Sequence, residues 1–241
     1  MNEARTIILL HGAWHGSWCW QFITPQLERH KLNVICPDLP GHHPSAKSEN
    51  KITLKAYVQF IVDIIEQLNT PDILVGHSMA GMVIAQVAEL RPNAIDKLIF
   101  LNAYLPVAGD SIFSLTEEFS PNSKIAQAMS LADNKLSYSL NSNDFLSLFY
   151  HQSNAEKQSL AIKHYQRQSS LPLSNKVSLS DERYGQVKKV VICSLADKVL
   201  PAAMQKHMLA RQACDEYVQI EGDHCPFFSL PDTLSALLCV Q

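Results

Sequence analysis

The chain has 241 residues, 46% of them hydrophobic, enough for one α/β domain with a sizeable core and an elaboration upon it. Its 20 basic and 23 acidic residues leave a formal net charge of −3 with no long run of either sign, which argues against nucleic acid and membrane surfaces as partners. No apolar run approaches the ~20 residues of a membrane span, and Met1-Asn2-Glu3-Ala4-Arg5 leads into a strand pattern without a signal-peptide core, so a soluble, cytoplasmic protein is expected.

Taken in chain order, a short continuous apolar run at 6–10 reads as the first strand, followed by a helix at 18–30 and a strand at 33–36. A helix at 54–68 has Thr53 as its N-cap candidate. A strand at 72–76 then feeds a helix at 79–90, and 97–102 is the next strand. After a long interval come a strand at 189–194, a helix at 202–213 entered by Pro201, a strand at 216–221 and a last helix at 231–240. Apolar runs too continuous for half-exposed strands, alternating with helical stretches, predict a mostly parallel sheet flanked by helices on both faces. The interval 105–185 lacks strand runs of comparable quality and is expected to be a helical cap, with helices at 144–150 and 155–168. The sheet core is then formed by 1–104 and 186–241.

The six cysteines, at 19, 36, 193, 214, 225 and 239, are scattered singly without a Cys-x-x-Cys pair, and most are expected to be reduced core residues.

The most informative segment is Gly76-His77-Ser78-Met79-Ala80-Gly81, placed between an apolar strand and an apolar helix. It matches the Gly-x-Ser-x-Gly spacing of a nucleophile elbow, with Ala80 in place of the second glycine. Small residues flank the serine because a sharp strand-to-helix turn brings the backbone close to its neighbours while the Oγ is pushed outward. The competing assignment is Ser78 as a simple helix N-cap.

A serine nucleophile needs a base, and this arrangement runs Ser, then Asp or Glu, then His along the chain. His224, in Glu221-Gly222-Asp223-His224-Cys225-Pro226, follows a strand and precedes the last helix; the one other histidine beyond residue 200 is His207, which falls mid-helix. Asp197, just past the strand at 189–194, is the best carboxylate to orient the imidazole. Asp223 is its rival but adjoins the histidine, and the other strand end, Leu101-Asn102-Ala103, offers no carboxylate. The backbone N–H groups of Ala13, in Leu10-His11-Gly12-Ala13-Trp14, and of Met79 are the expected oxyanion donors.

His11 and His15, and the adjacent His42 and His43, could suggest a metal. The spacing of His11 and His15 converges only on a helix, however, and Gly12 and Gly16 favour a loop, so no metal is expected. Of Trp14, Trp18 and Trp20, one is expected to line the acyl pocket and at least two to pack in the core. Cys225 has no neighbouring cation in sequence that would activate its thiol.

Together, Leu10-His11-Gly12-Ala13-Trp14-His15-Gly16-Ser17-Trp18, Pro37-Asp38-Leu39-Pro40-Gly41, the serine motif, Asp181-Glu182-Arg183-Tyr184-Gly185 and Gly222-Asp223-His224 resemble the plant methylesterase and hydroxynitrile lyase family and its bacterial esterase relatives. The resemblance runs over nearly the whole chain and is weakest across 107–175. It implies an α/β-hydrolase fold, no cofactor, a small helical cap and a mostly apolar pocket. The lyases of the family carry threonine after the oxyanion-loop histidine and lysine after the catalytic histidine, where this chain has Gly12 and Cys225. Hydrolysis of a small apolar ester through an acyl-enzyme is therefore expected. Hydroxynitrile-lyase-type cleavage on the same triad and a slow-turnover, receptor-like small-ligand binder are the alternatives. The sequence is compatible with a monomer or a homodimer.

Overall fold

The computed structural model describes residues 5–43, 51–68, 72–119 and 122–240. The expectation drawn from the first four residues therefore lies outside them. Six parallel strands form the central sheet: β1 (Thr6–Leu10), β2 (Asn33–Ile35), β3 (Asp72–His77), β4 (Ile95–Leu101), and then, after the inserted segment, Lys188–Ser194 and Glu216–Ile220. Every predicted core strand is present. The continuous apolar runs of the central strands are explained by burial on both faces, with all five residues of β1 buried, whereas the edge strands Asn33–Ile35 and Glu216–Ile220 are partly exposed.

Helices α1 (Thr24–Arg29), α2 (Leu54–Ile65) and α3 (Ala80–Leu90) cover the sheet. On α2 the buried positions Leu54, Tyr57, Val58, Ile61, Val62 and Ile65 recur at helical spacing, and Thr53 caps the helix by accepting from the Ala56 amide at 3.2 Å. The helix expected at 18–30 is divided into a 3₁₀ turn, Ser17–Trp20, and α1. Pro25 is the reason: it lacks the amide that an uninterrupted helix requires but fits a first turn.

The segment between β4 and Lys188 holds α4 (Ile112–Phe119), α5 (Lys124–Ala128), α6 (Ser142–Phe149), α7 (Ala155–His164) and α8 (Leu171–Ser174). It is not purely helical, which corrects the expectation. Strands β5 (Ser130–Leu131), β6 (Ser137–Ser139) and β7 (Gln168–Ser169) form a small antiparallel sheet, with Lys135 at φ 59° in the turn between the first two. Strands of two or three residues are too short to leave a period in the sequence. The segment is tied to the core by the two-pronged Arg211–Asp110 pair (2.9 and 3.0 Å) and by the Gln152 amide donating to Asp223.

The chain returns through β8 (Lys188–Ser194), α9 (Ala202–Arg211), β9 (Glu216–Ile220), α10 (Pro226–Ser229) and α11 (Pro231–Cys239). The strand order is β2-β1-β3-β4-β8-β9, so the direction of winding reverses between β1 and β3. Parallel sheets open a crevice at the carboxyl ends of strands at such a reversal. The register sets Leu10 beside Gly76 and His77 beside Leu101, so the residues that follow β1, β3 and β4 emerge together at one edge.

Candidate active site

β3 ends at His77, and Ser78 takes the left-handed conformation, φ 54°, before α3 begins at Ala80. A non-glycine residue held there costs on the order of 1–2 kcal/mol. The turn is fixed from both sides: the Ser78 amide donates to the Leu101 carbonyl (3.3 Å), and the Ser78 carbonyl accepts from the Gly81 and Tyr104 amides (3.1 Å each). Position 79, not 78, is the N-cap of α3, and its side chain caps nothing, so the simple N-cap assignment for Ser78 falls. A Cβ at Gly76 would lie 2.8 Å from the Ala80 carbonyl oxygen, which accounts for the small residue on the strand side of the turn.

The loop after β1 runs alongside. A Cβ on Gly12 would lie 2.8 Å from His77 Nδ1 and 2.9 Å from Ser78 Cβ, so only glycine lets this loop approach the serine. Among the described residues, neither the Ala13 nor the Met79 amide donates to another protein group, and both residues border the same cavity as Ser78. Gly12→Ala must separate the loop from the serine. If Ala13 serves as an oxyanion donor, kcat for ester hydrolysis should fall about 10²-fold, with the melting temperature tracked alongside to separate misfolding from misplacement.

Asp197 and His224 follow β8 and β9. His224 Nδ1 donates to Asp197 Oδ2 at 2.8 Å, with both side chains fully buried. The other carboxylate oxygen, Oδ1, accepts from the Val199 and Leu200 amides at 2.8 Å each. Those bonds fix the acid and so the ring's tautomer, leaving Nε2 as the acceptor nitrogen. Among the described residues Nε2 has no hydrogen-bond partner.

The rival carboxylate, Asp223, does not touch the ring. It accepts from the Gln152 amide (3.1 Å), the Cys225 amide (3.2 Å) and Ser229 Oγ (2.7 Å), joining the histidine loop to the inserted segment, and burial raises its pKa.

Two residues that the sequence reading did not single out position this loop. His77 Nε2 donates to the His224 carbonyl (2.8 Å). Asn102, at φ 43° past β4, donates through Nδ2 to Ser194 Oγ (2.8 Å) and to the Asp223 and His224 carbonyls (3.1 Å each), while its Oδ1 accepts from the Ser194 amide (2.6 Å). A polar residue closing a core strand was the available signal; its left-handed backbone was not legible.

His11, His15 and His42 form a buried network. His11 Nδ1 donates to the Gly12 carbonyl and its Nε2 accepts from the Leu39 amide; His15 bridges the Ala13 carbonyl and the Tyr150 hydroxyl, 2.6 Å each; His42 bridges the His15 carbonyl and the Tyr57 hydroxyl. Burial holds them neutral, driving His11 well below the usual histidine value, His15 to about 3 and His42 to about 4. Burial raises the Cys225 thiol well above its ordinary value, which removes it as a nucleophile at neutral pH. All six cysteines are unpaired, and Cys19, Cys193 and Cys225 are buried as expected, whereas Cys36, Cys214 and Cys239 are half-buried.

Beside Ser78 lies a cavity of about 690 Å³, including its open mouth, walled by Trp14, Ile112, Phe113, Ile125, Met129 and Leu173. Of the three tryptophans Trp14 lines it, Trp20 is fully buried, and the half-buried Trp18 stacks between His15 and His164. Among the described residues no charged side chain borders this space. It is a site for an apolar, neutral group next to a strained serine and a hydrogen-bonded Asp–His pair.

Comparison with known proteins agrees with this geometry. The chain is 30% identical over 260 residues to salicylic acid-binding protein 2 of Nicotiana tabacum, covering 99% of this chain and 97% of that protein. It is 31% identical over 247 residues to a protein named putative methylesterase 11, chloroplastic, of Arabidopsis thaliana, covering 98% of this chain. The chain spans 63% of that relative's length and 56% of putative methylesterase 13 from the same plant. Among solved structures, tomato methylketone synthase I superposes with a TM-score of 0.88 and polyneuridine aldehyde esterase with 0.86; each is 25% identical, covers 98% of this chain, and is itself covered to 97% and 98%. The model of the alpha/beta hydrolase family matches residues 7–237, and with the parallel sheet and the strand-to-helix turn at Ser78 this places the chain in that family.

Proposed function

We propose that the protein is a serine carboxylesterase that hydrolyses small apolar esters, with aryl, short-chain alkyl or methyl groups, through an acyl-enzyme. The observation that carries this reading is the buried Asp197–His224 bond, which leaves His224 Nε2 free to accept a proton. Ser78 Oγ attacks the ester carbonyl and passes its proton to His224 Nε2. Asp197 stabilises the imidazolium, and the Ala13 and Met79 amides hold the developing oxyanion. The alcohol leaves with the proton from His224, which then activates water to release the acid. The Phe149 ring packs edge-on against the His224 ring, with centroids 5.0 Å apart, and helps to hold the imidazole in place.

Names among the relatives support ester chemistry, and the lack of room for a side chain at position 12, with a neutral Cys225 beside His224, disfavours the lyase alternative. Among the described residues no helix is long and apolar enough to cross a membrane. The unpaired cysteines fit a reducing compartment, and we place the protein in the cytoplasm on that basis.

The test is hydrolysis of p-nitrophenyl and methyl esters by the wild type and Ser78→Ala, with a fluorophosphonate probe and mass mapping of the adduct. Turnover should fall by a factor on the order of 10⁵–10⁶ in the variant, and the label should sit on Ser78. Labelling without turnover would favour the lyase or the receptor, and a variant as active as wild type would refute the nucleophile.

A further inference from the structure

Besides Ser78, three hydroxyl side chains, Tyr104, Thr116 and Tyr138, border the otherwise apolar cavity, and the first two are paired with each other. Tyr104 follows β4 and Thr116 lies on α4. Both border the cavity, and Tyr104 OH and Thr116 Oγ1 are 3.2 Å apart. Only one of the two hydroxyl protons can close their mutual bond. The other has no partner among the described residues and is free to donate into the cavity. Burial pushes the Tyr104 phenol up to about 12, so it stays a neutral donor through the working range of an esterase. The Tyr104 amide donates to the Ser78 carbonyl, which ties this hydroxyl's backbone to the nucleophile turn at a fixed offset.

A hydroxyl with an unused proton in a mostly apolar pocket imposes a cost on any ligand that covers it without accepting that proton. No cation borders the cavity to receive a carboxylate. Resting on the esterase reading above, we propose that the Tyr104–Thr116 pair is a specificity element that selects acyl groups carrying one neutral oxygen acceptor, such as an ether, keto or hydroxyl oxygen, remote from the ester carbonyl. The favoured substrate class is then an oxygenated, uncharged acyl ester rather than a pure hydrocarbon or a half-ester of a diacid.

The test compares methyl esters of 2-, 3- and 4-methoxyphenylacetic acid with the matching ethylphenylacetates, which differ by a single O to CH₂ exchange. For the best-placed isomer, kcat/KM should favour the methoxy ester about tenfold, the size of one neutral hydrogen bond. In Tyr104→Phe that ratio should collapse to within about twofold of unity. Thr116→Val should shift it in the same direction and Thr116→Ser should restore it, a pattern that a mere tether between β4 and α4 would not produce. A wild-type ratio near one for all three isomers, or a ratio unchanged in both Tyr104→Phe and Thr116→Val, overturns the proposal while leaving ester hydrolysis standing. Absence of turnover on every ester together with absence of fluorophosphonate labelling overturns the esterase reading itself, and this proposal with it.

Discussion

Asp197→Asn is expected to lower kcat for ester hydrolysis by about 10⁴ with little change in KM or melting temperature. The hydrogen bonds around the carboxylate dictate why. Oδ1 accepts from two backbone amides, Val199 and Leu200, and Oδ2 accepts from His224 Nδ1. An asparagine of the same shape must put its carbonyl oxygen toward the two amides, because its NH₂ group there would face two donors. The NH₂ then faces Nδ1, which gives up its proton and becomes an acceptor. The imidazole proton moves to Nε2, the atom that should take the proton from Ser78, and the base is lost with the fold intact. Steady-state kinetics with thermal melts decide the matter; an Asn variant within tenfold of wild type would remove Asp197 from the mechanism.

The second large effect is on stability. His11, His15, His42 and His77 are fully buried, and burial lowers the pKa of each, His15 to about 3 and His42 to about 4. The unfolded chain binds protons at these sites near the ordinary value of about 6.5, whereas the folded protein does not. The stability they contribute is therefore complete above that value and is lost as pH falls toward the folded pKa values. Each group contributes about 1.4 kcal/mol per pH unit in this window, so the four together remove about 5 kcal/mol per unit below pH 6. Against the stability of an ordinary domain, about 5–15 kcal/mol, this loss is large, so stability should fall steeply between pH 6 and 5. Urea titrations should show unfolding taking up about two protons at pH 6.5 and about four near pH 5, the latter falling by about one in His42→Gln. An uptake of one or fewer would mean that the cluster is already protonated in the folded protein.

The alternation of apolar runs with helical periods was sufficient for the sheet, because strands buried on both faces are mainly apolar. It was likewise sufficient for the elbow, since Gly76, Ala80 and Gly12 are small for steric reasons that act locally at one turn. The order Ser78, Asp197, His224 and the position of each after a strand singled out three residues that the parallel register delivers to one edge. What the sequence could not supply were features that arise from segments distant along the chain. The strands of the inserted segment are two or three residues long and exist only because 130–131, 137–139 and 168–169 meet in space. Asp223 looked like a rival acid until its carboxylate was seen to be occupied by Gln152, Cys225 and Ser229. The spaced histidines at 11, 15 and 42 are neutral because tertiary burial withholds water from them, and Asn102 matters because its amide joins the end of β8 to the loop that carries His224. The sequence by itself determined the family fold and the chemical types at the site, since these follow from local periodicity and local sterics. Only the tertiary structure decided the protonation states, the partners of each carboxylate and the lining of the cavity, since burial and hydrogen-bond partners come from residues that the chain brings together only on folding.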